Sequence, residues 1–307
     1  MTDIVLAADL GGTNIRIAAV ARDGSVLHIA KEATPKAVSP GQLMATTAAM
    51  VEECRHALSD GHHICGIAFA SPAAAAKDCD GILRKLPNLP SLNGMNLKAE
   101  LLDRFGLPVT LENDATAAAI GENWLGASKA VRDSIMVTLG TGVGGGIIIN
   151  DEPFRGIDGT AGEIGHICVE PDGHPCGCGS NGCIEQYASA TAIVRMASDL
   201  GLDCETAEDV YETAKGGDGR AISVFQIMGR YLGITLAGLV NTLNPEMIVL
   251  GGGVAAGIDA FIEKVNAEIE SRAFHEPADR VKIVRSALDD MAGIVGVARS
   301  AFLADAN

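Results

Sequence analysis

His166, Cys176, Cys178 and Cys183 fall within eighteen residues, separated by nine, one and four others. One imidazole and three thiolates make a closed tetrahedral zinc set with no open coordination position, so the metal would shape a loop rather than activate water. The surrounding stretch 162–189, GEIGHICVEPDGHPCGCGSNGCIEQYAS, is rich in Gly, Pro, Asp and Asn and has no apolar periodicity. Burial alone would not fix its shape. Unmetallated thiols or a disulfide pair are the alternative reading. A nucleic-acid zinc module is disfavoured, because the stretch holds no Lys or Arg. Glu163 and Glu185 flank the set and are candidate substrate-facing carboxylates.

Other polar groups stand where strands should end. The apolar run 4–10 carries Asp9, then Gly11-Gly12-Thr13-Asn14, then the alternating run 15–20, which reads as strand, tight turn and strand. Glycines there admit a phosphate close to the backbone, Thr13 offers a hydroxyl, and Asp9 could hold Mg2+ through water; a plain hairpin turn is the alternative. A second such plan follows strand 134–139: Gly140-Thr141-Gly142-Val143-Gly144-Gly145-Gly146, then 147–149. These glycines match the dinucleotide fingerprint but lead into a β-branched run instead of a helix, so a second phosphate-binding hairpin fits better. No Gly-Lys dipeptide exists, which excludes a Walker-type loop. Glu112-Asn113-Asp114 closes strand 107–111 before an Ala-rich helix 115–125, so Asp114 either caps that helix or faces a cleft. Strand 247–250 runs into Gly251-Gly252-Gly253.

These groups need a scaffold, and 307 residues with 48% hydrophobic content can build two domains. A third strand at 26–30, a helix at 40–58 and a buried strand at 64–70 give a βββαβ order, and helices are expected at 189–200, 207–215, 219–243, 259–273 and 291–304, with a last strand at 281–285. The final helix is expected to pack back on the first domain. A net charge of −16 argues against nucleic-acid and anionic-membrane partners. No apolar run reaches about 18 residues and no signal-peptide pattern opens the chain, so a cytoplasmic location is the default. Cys54, Cys65, Cys79 and Cys204 read as ordinary buried or neutral thiols.

AGEIGH followed by CGCGSNGCIEQYAS closely resembles the signature of the ROK family, which holds bacterial glucokinases, other hexose and N-acetylhexosamine kinases, and sugar-responsive repressors. The resemblance implies an α/β, two-domain actin-like ATPase (ribonuclease H-like) fold with the active-site cleft between domains. Residues 1–115, joined by the C-terminal helix 290–307, would form one domain and 116–289 the other, bearing the zinc loop. It implies ATP-dependent phosphorylation of a hexose 6-hydroxyl, glucose first, with N-acetylglucosamine, N-acetylmannosamine or fructose as alternatives. A sugar-sensing regulator is the lesser reading, since those relatives carry a winged helix and this chain starts its first strand by Ile4.

Residue by residue, ENDATAAAIGE resembles the family's catalytic ENDANAAA segment, with Thr116 for an Asn. That implies Asp114 as general base and a sugar-binding ring of Asn113, Asp114, Glu163, His166 and Glu185. His166 would serve zinc with one ring nitrogen and the sugar with the other. Asp9, Gly11, Gly12, Thr13 and Asn14 would be the first phosphate loop, Thr141 and Gly142 the second, and Gly251, Gly252 and Gly253 the adenosine side. LPNLPSLNG resembles a cleft-wall segment with Leu92 replacing an aromatic, and Ala73 departs from a glycine near the sugar. Structural Zn2+, Mg2+ with ATP, and a homodimer or higher homo-oligomer complete the expectation.

Overall fold

Alternating and continuous apolar runs become ten strands in two sheets in the computed structural model, which describes residues 1–12, 14–35, 37–72, 81–84, 86 and 89–304. The first sheet contains β1 (Thr2–Leu10), β2 (Asn14–Ala21), β3 (Val26–Ala33), β4 (His62–Ser71) and β5 (Val109–Asn113), in the order β3-β2-β1-β4-β5. The second contains β6 (Ser134–Leu139), β7 (Val143–Ile149), β8 (Glu152–Pro153), β9 (Met247–Gly251) and β10 (Lys282–Arg285), in the order β10-β9-β6-β7-β8. Both follow one plan. An antiparallel hairpin, β1–β2 or β6–β7, accepts an antiparallel strand on one side and two parallel strands on the other. This repeated sheet plan agrees with the two-domain actin-like fold that the family resemblance implies.

Helices cover the sheets: α1 (Pro40–His56), α2 (Leu97–Phe105), α3 (Asp114–Trp124), α4 (Glu185–Ala188), α5 (Ala190–Asp199), α6 (Ala207–Lys215), α7 (Gly219–Leu243), α8 (Ile262–Arg272), α9 (His275–Arg280) and α10 (Ala292–Ala304). Local chemistry sets their ends. Ser39 and Gln42 form a capping box at α1, with Pro40 in the first turn, and Asn244 ends α7 in the left-handed region ahead of Pro245. Among the described residues α7 is the helix long and apolar enough to cross a bilayer, yet Val224, Phe225, Met228, Leu232 and Leu236 of it are buried in the second core. α2 was not expected from the sequence: its start is capped by Asn96, and only Leu97 and Leu101 of it are buried, too few for a clear period.

Phe69, Met50, Leu43 and Leu101 fill one face of the first sheet, and Val5, Ala7, Ala68 and Ala70 meet Ile294, Val297 and Phe302 of α10 on the other. The last helix does pack back on the first sheet. Between the sheets α3 crosses α10 backbone to backbone: a Cβ on Gly296 would lie 1.7 Å from the Ala117 oxygen, and one on Gly121 2.2 Å from the Ala292 oxygen. That approach explains why α3 is built of alanines. Glu122, fully buried on α3, accepts the amides of Ala127 (2.6 Å), Ala287 (3.2 Å) and Leu288 (2.9 Å) and the Ser286 hydroxyl, pinning the entry to α10.

Candidate active site

β5 delivers Asn113 to the start of α3, where its Oδ1 accepts the Thr116 amide at 3.0 Å. Asn113 is therefore the helix cap, and the reading of Asp114 as a mere cap falls away. Asp114 becomes the first helical residue, with Oδ1 accepting the Ala115 amide at 2.8 Å. Burial pushes its carboxyl up to about 6; the Ala115 amide opposes that shift, and the carboxylates of Asp9 and Glu163 add to it. Asp9 and Glu163, far from Asp114 in sequence, thus both bear on it in the fold. The start of α10 joins them, since a Cβ on Gly293 would lie 4.0 Å from both the Asp114 carbonyl oxygen and the Asp9 carboxyl carbon.

In the first hairpin the register places Asp9 opposite Arg16, whose Nη2 donates to Asp9 Oδ2 at 2.5 Å while Nη1 reaches Asp290 at 3.4 Å. Arg16 escaped the sequence reading, although cross-strand pairing over a short turn was the available signal. The Gly11 amide closes the turn on the Asn14 carbonyl at 3.0 Å; Thr13 lies outside the described residues.

The second hairpin turns more tightly than expected. The Gly140 amide bonds the Gly142 carbonyl at 3.0 Å, so the turn is centred on Thr141, and Gly144, Gly145 and Gly146 belong to β7. Their lack of side chains serves packing: a Cβ on Gly146 would lie 2.6 Å from the Ala115 oxygen, and one on Gly145 2.5 Å from the Gly162 oxygen. A Cβ on Gly252 would lie 2.5 Å from the Leu139 oxygen, so the 251–253 turn sits against this hairpin and shares its surface. Thr191 and the Ala190 amide dock the start of α5 on the carbonyls of Thr141 and Gly140, at 2.9 and 2.8 Å.

The 162–183 stretch is almost free of regular structure. Its knuckle is closed by the Cys176 amide on Ser180 (2.8 Å), Gly179 on Cys176 (3.0 Å) and Gly182 on His174 (2.8 Å). One donor atom each from His166, Cys176, Cys178 and Cys183 lies within 4.8 Å of the other three. His166 Nδ1 is 3.6 Å from Cys176 Sγ, and Cys178 Sγ is 3.6 Å from Cys183 Sγ. A tetrahedron with metal–sulfur bonds of about 2.3 Å has edges near ~3.8 Å, so the donor set fits zinc. Among the described residues no two cysteines are joined by a disulfide. Burial first, then the neighbouring thiols, pushes Cys183 up to about 12, whereas the Ser180 amide holds Cys178 below its ordinary value. Cys168, passed over in the sequence, is exposed and paired through its backbone with Cys183, outside the donor set.

His166 turns Nε2 toward Glu163 at 3.9 Å, so its two ring nitrogens face the cluster and the carboxylate separately. Glu185 is placed differently from expectation. Its Oε2 accepts the Val143 amide at 3.1 Å and its Oε1 lies 3.9 Å from Cys176 Sγ, so it links the second hairpin to the cluster. Leu92 is fully buried in the first core, where the change from an aromatic falls on packing. Ala73 and Cys79 lie outside the described residues. A groove of about 660 Å3 between α1 and α2, lined by Met44, Ala48, Arg55 and Phe105, includes none of these residues.

A family model described as "ROK family" matches residues 5–303. The chain is 37% identical to a glucokinase from Halalkalibacterium halodurans over 94% of this chain and 92% of that one. It is similar to the structure of a ROK family glucokinase from Streptomyces griseus in complex with glucose and AMPPNP, with a TM-score of 0.81 and 33% identity over 97% and 98% of the two chains. A ROK family transcriptional regulator aligns with a TM-score of 0.86 and 27% identity, covering 96% of this chain and 77% of that one.

Proposed function

We propose, because the chain belongs to the ROK family, that it transfers the γ-phosphoryl group of ATP to a sugar hydroxyl. The observation that carries the reading is the meeting of Asp9, Asp114 and Glu163 at the ends of strands and helices, beside glycine turns. Glucose is the first substrate, at its 6-hydroxyl; an N-acetylhexosamine or fructose is the alternative. Asp114, raised to about 6, is half ionised near that pH and accepts the hydroxyl proton as the oxygen–phosphorus bond forms and the bond to the ADP oxygen breaks. The Asn113 amide nitrogen, Glu163 and the Nε2 side of His166 orient the remaining hydroxyls; Glu185 joins them by releasing the Val143 amide.

The hairpin turns at 11–14 and 140–142 offer amides to the phosphates, and Gly251, Gly252 and Gly253 offer a flat backbone to the nucleoside. Mg2+ would be held through water at Asp9, whose Oδ2 is taken by Arg16, and would neutralise the transferring phosphates. Zinc on His166, Cys176, Cys178 and Cys183 would hold the loop that presents Glu163. In the same reading the domains divide at 1–115 with 290–307 and at 116–289, the protein is cytoplasmic, and it forms a homodimer or larger homo-oligomer.

The similarity to a transcriptional regulator supports a second reading, sugar sensing without turnover. A coupled assay with MgATP across glucose, N-acetylglucosamine, N-acetylmannosamine and fructose, paired with calorimetric sugar binding, separates them. Sugar-dependent ADP release supports the kinase. Binding without ADP release supports the sensor, and neither result would remove both readings.

A further inference from the structure

Glu112 stands one residue before Asn113 and Asp114 and is only 2% exposed, which a carboxylate tolerates only with partners. The partner comes from the other sheet. Arg155, just beyond β8, donates Nη2 to Glu112 Oε2 at 2.5 Å and Nε to Oε1 at 3.5 Å. The same carboxylate accepts the Asn113 amide on Oε1 at 3.3 Å and the Ser300 hydroxyl of α10 on Oε2 at 3.4 Å. Arg155 is tied at its backbone as well, its carbonyl accepting the Ala161 amide at 3.1 Å and so closing the loop that leads to Gly162 and Glu163. That loop has little apolar anchoring, since Phe154 and Ile157 are exposed. The guanidinium fork is its side-chain tether to the first sheet.

We propose that the Arg155–Glu112 pair is a positioning device: it sets the distance between Asp114 on one wall of the site and Glu163 and His166 on the other. This rests on the sugar-phosphorylation reading. A planar fork on a carboxylate fixes angle as well as separation, which a sliding apolar contact does not. The pair joins residues 43 apart in sequence and bridges β5 of the first sheet to the loop beyond β8 of the second, so rocking of one sheet against the other would strain it. Its effect falls on the sugar, which touches both walls. ATP is held mostly from the second sheet, by the turns at 140–142 and 251–253, and meets the first sheet at 11–14 on the β1–β2 hairpin, away from Glu112 on β5, so it depends on the pair less.

The test compares Arg155→Lys, Arg155→Met and Glu112→Gln with the wild type in the four-sugar MgATP assay and in calorimetric sugar binding. Melting temperature and zinc content report folding. Arg155→Met is expected to lose on the order of 10²-fold in kcat/KM for sugar, with KM for ATP within about twofold. Arg155→Lys, which keeps the charge without the fork, should recover part of that loss. If Arg155→Met fails to fold, the other two variants carry the test through the same split between sugar and ATP. Folded Arg155→Lys and Glu112→Gln proteins with every constant near wild type, or with sugar and ATP constants worsened equally, would overturn the pair's role. A wild type that neither binds nor phosphorylates any of the sugars would remove the kinase reading and this inference together; an active wild type with unaffected variants would remove the inference alone.

Discussion

The two walls of the candidate site are built by different physics. On one, Asn113 and Asp114 sit at the junction of a half-buried edge strand and a helix whose alanines and glycines press on α10. On the other, residues 162–183 form turns with a few short bridges, held by glycines, backbone bonds and four donor atoms. The first wall owes its shape to close packing, so disturbing it should disturb the whole fold. The second is held by turn hydrogen bonds around a candidate metal-donor set, so disturbing it should leave the global fold standing. Glu185 and Arg155 are where the two systems are joined to the rest.

The largest effect is expected at the first wall's reacting group. Asp114→Ala should keep its fold and lose roughly 10²–10⁴-fold in sugar-dependent turnover; steady-state kinetics within about tenfold of wild type would break the assignment of Asp114 as base. Gly296→Val tests the packing itself. Its new side chain meets the Ala117 carbonyl, and a loss of about 3 kcal/mol or more in urea-unfolding stability is expected, whereas an unchanged midpoint would deny that the seam sets this wall. Cys178→Ser addresses the other wall. Purified wild type should carry near one zinc per chain, and the variant should lose zinc and weaken calorimetric sugar binding by about tenfold or more while its unfolding midpoint hardly moves. Equal loss of stability in both variants would erase the contrast.

The smallest effect is the pH response of Asp114. With its carboxyl raised to about 6, kcat/KM for sugar should fall about tenfold between pH 7 and pH 5 as the base is protonated. Stability runs the other way. The folded carboxyl holds its proton more tightly than the unfolded one, so this group's stabilising contribution is present below the ordinary value of 3.8 and is lost as pH rises through about 6. Asp114→Asn should therefore melt higher than wild type at pH 8 and lose that advantage by pH 4; an advantage that does not depend on pH would mean Asp114 is not the strained group.

Much of this architecture was legible before any coordinates. The hairpin at 9–16, strand 134–139 and helices 207–215 and 219–243 follow from short-range patterning, and His166, Cys176, Cys178 and Cys183 gather as their spacing implied. α2 leaves no clear period because only two of its residues are buried, and glycines 144–146 look like turn because a glycine that admits a neighbouring chain is indistinguishable in sequence from one that permits a bend. Arg16 was overlooked though its register partner was readable, and Cys168 because its neighbours already made a complete set.

Most of the element order, the first hairpin, the donor set and the family can be read from the chain alone, because each depends on residues within a few positions of one another or on a contiguous motif. That Asp114 feels Asp9 and Glu163, that Glu185 holds the Val143 amide and that Glu112 meets Arg155 is fixed in three dimensions. Those meetings depend on how two sheets and the α3–α10 crossing are brought together. Which carboxylate a long side chain then finds is set by distances across the fold that no local pattern encodes.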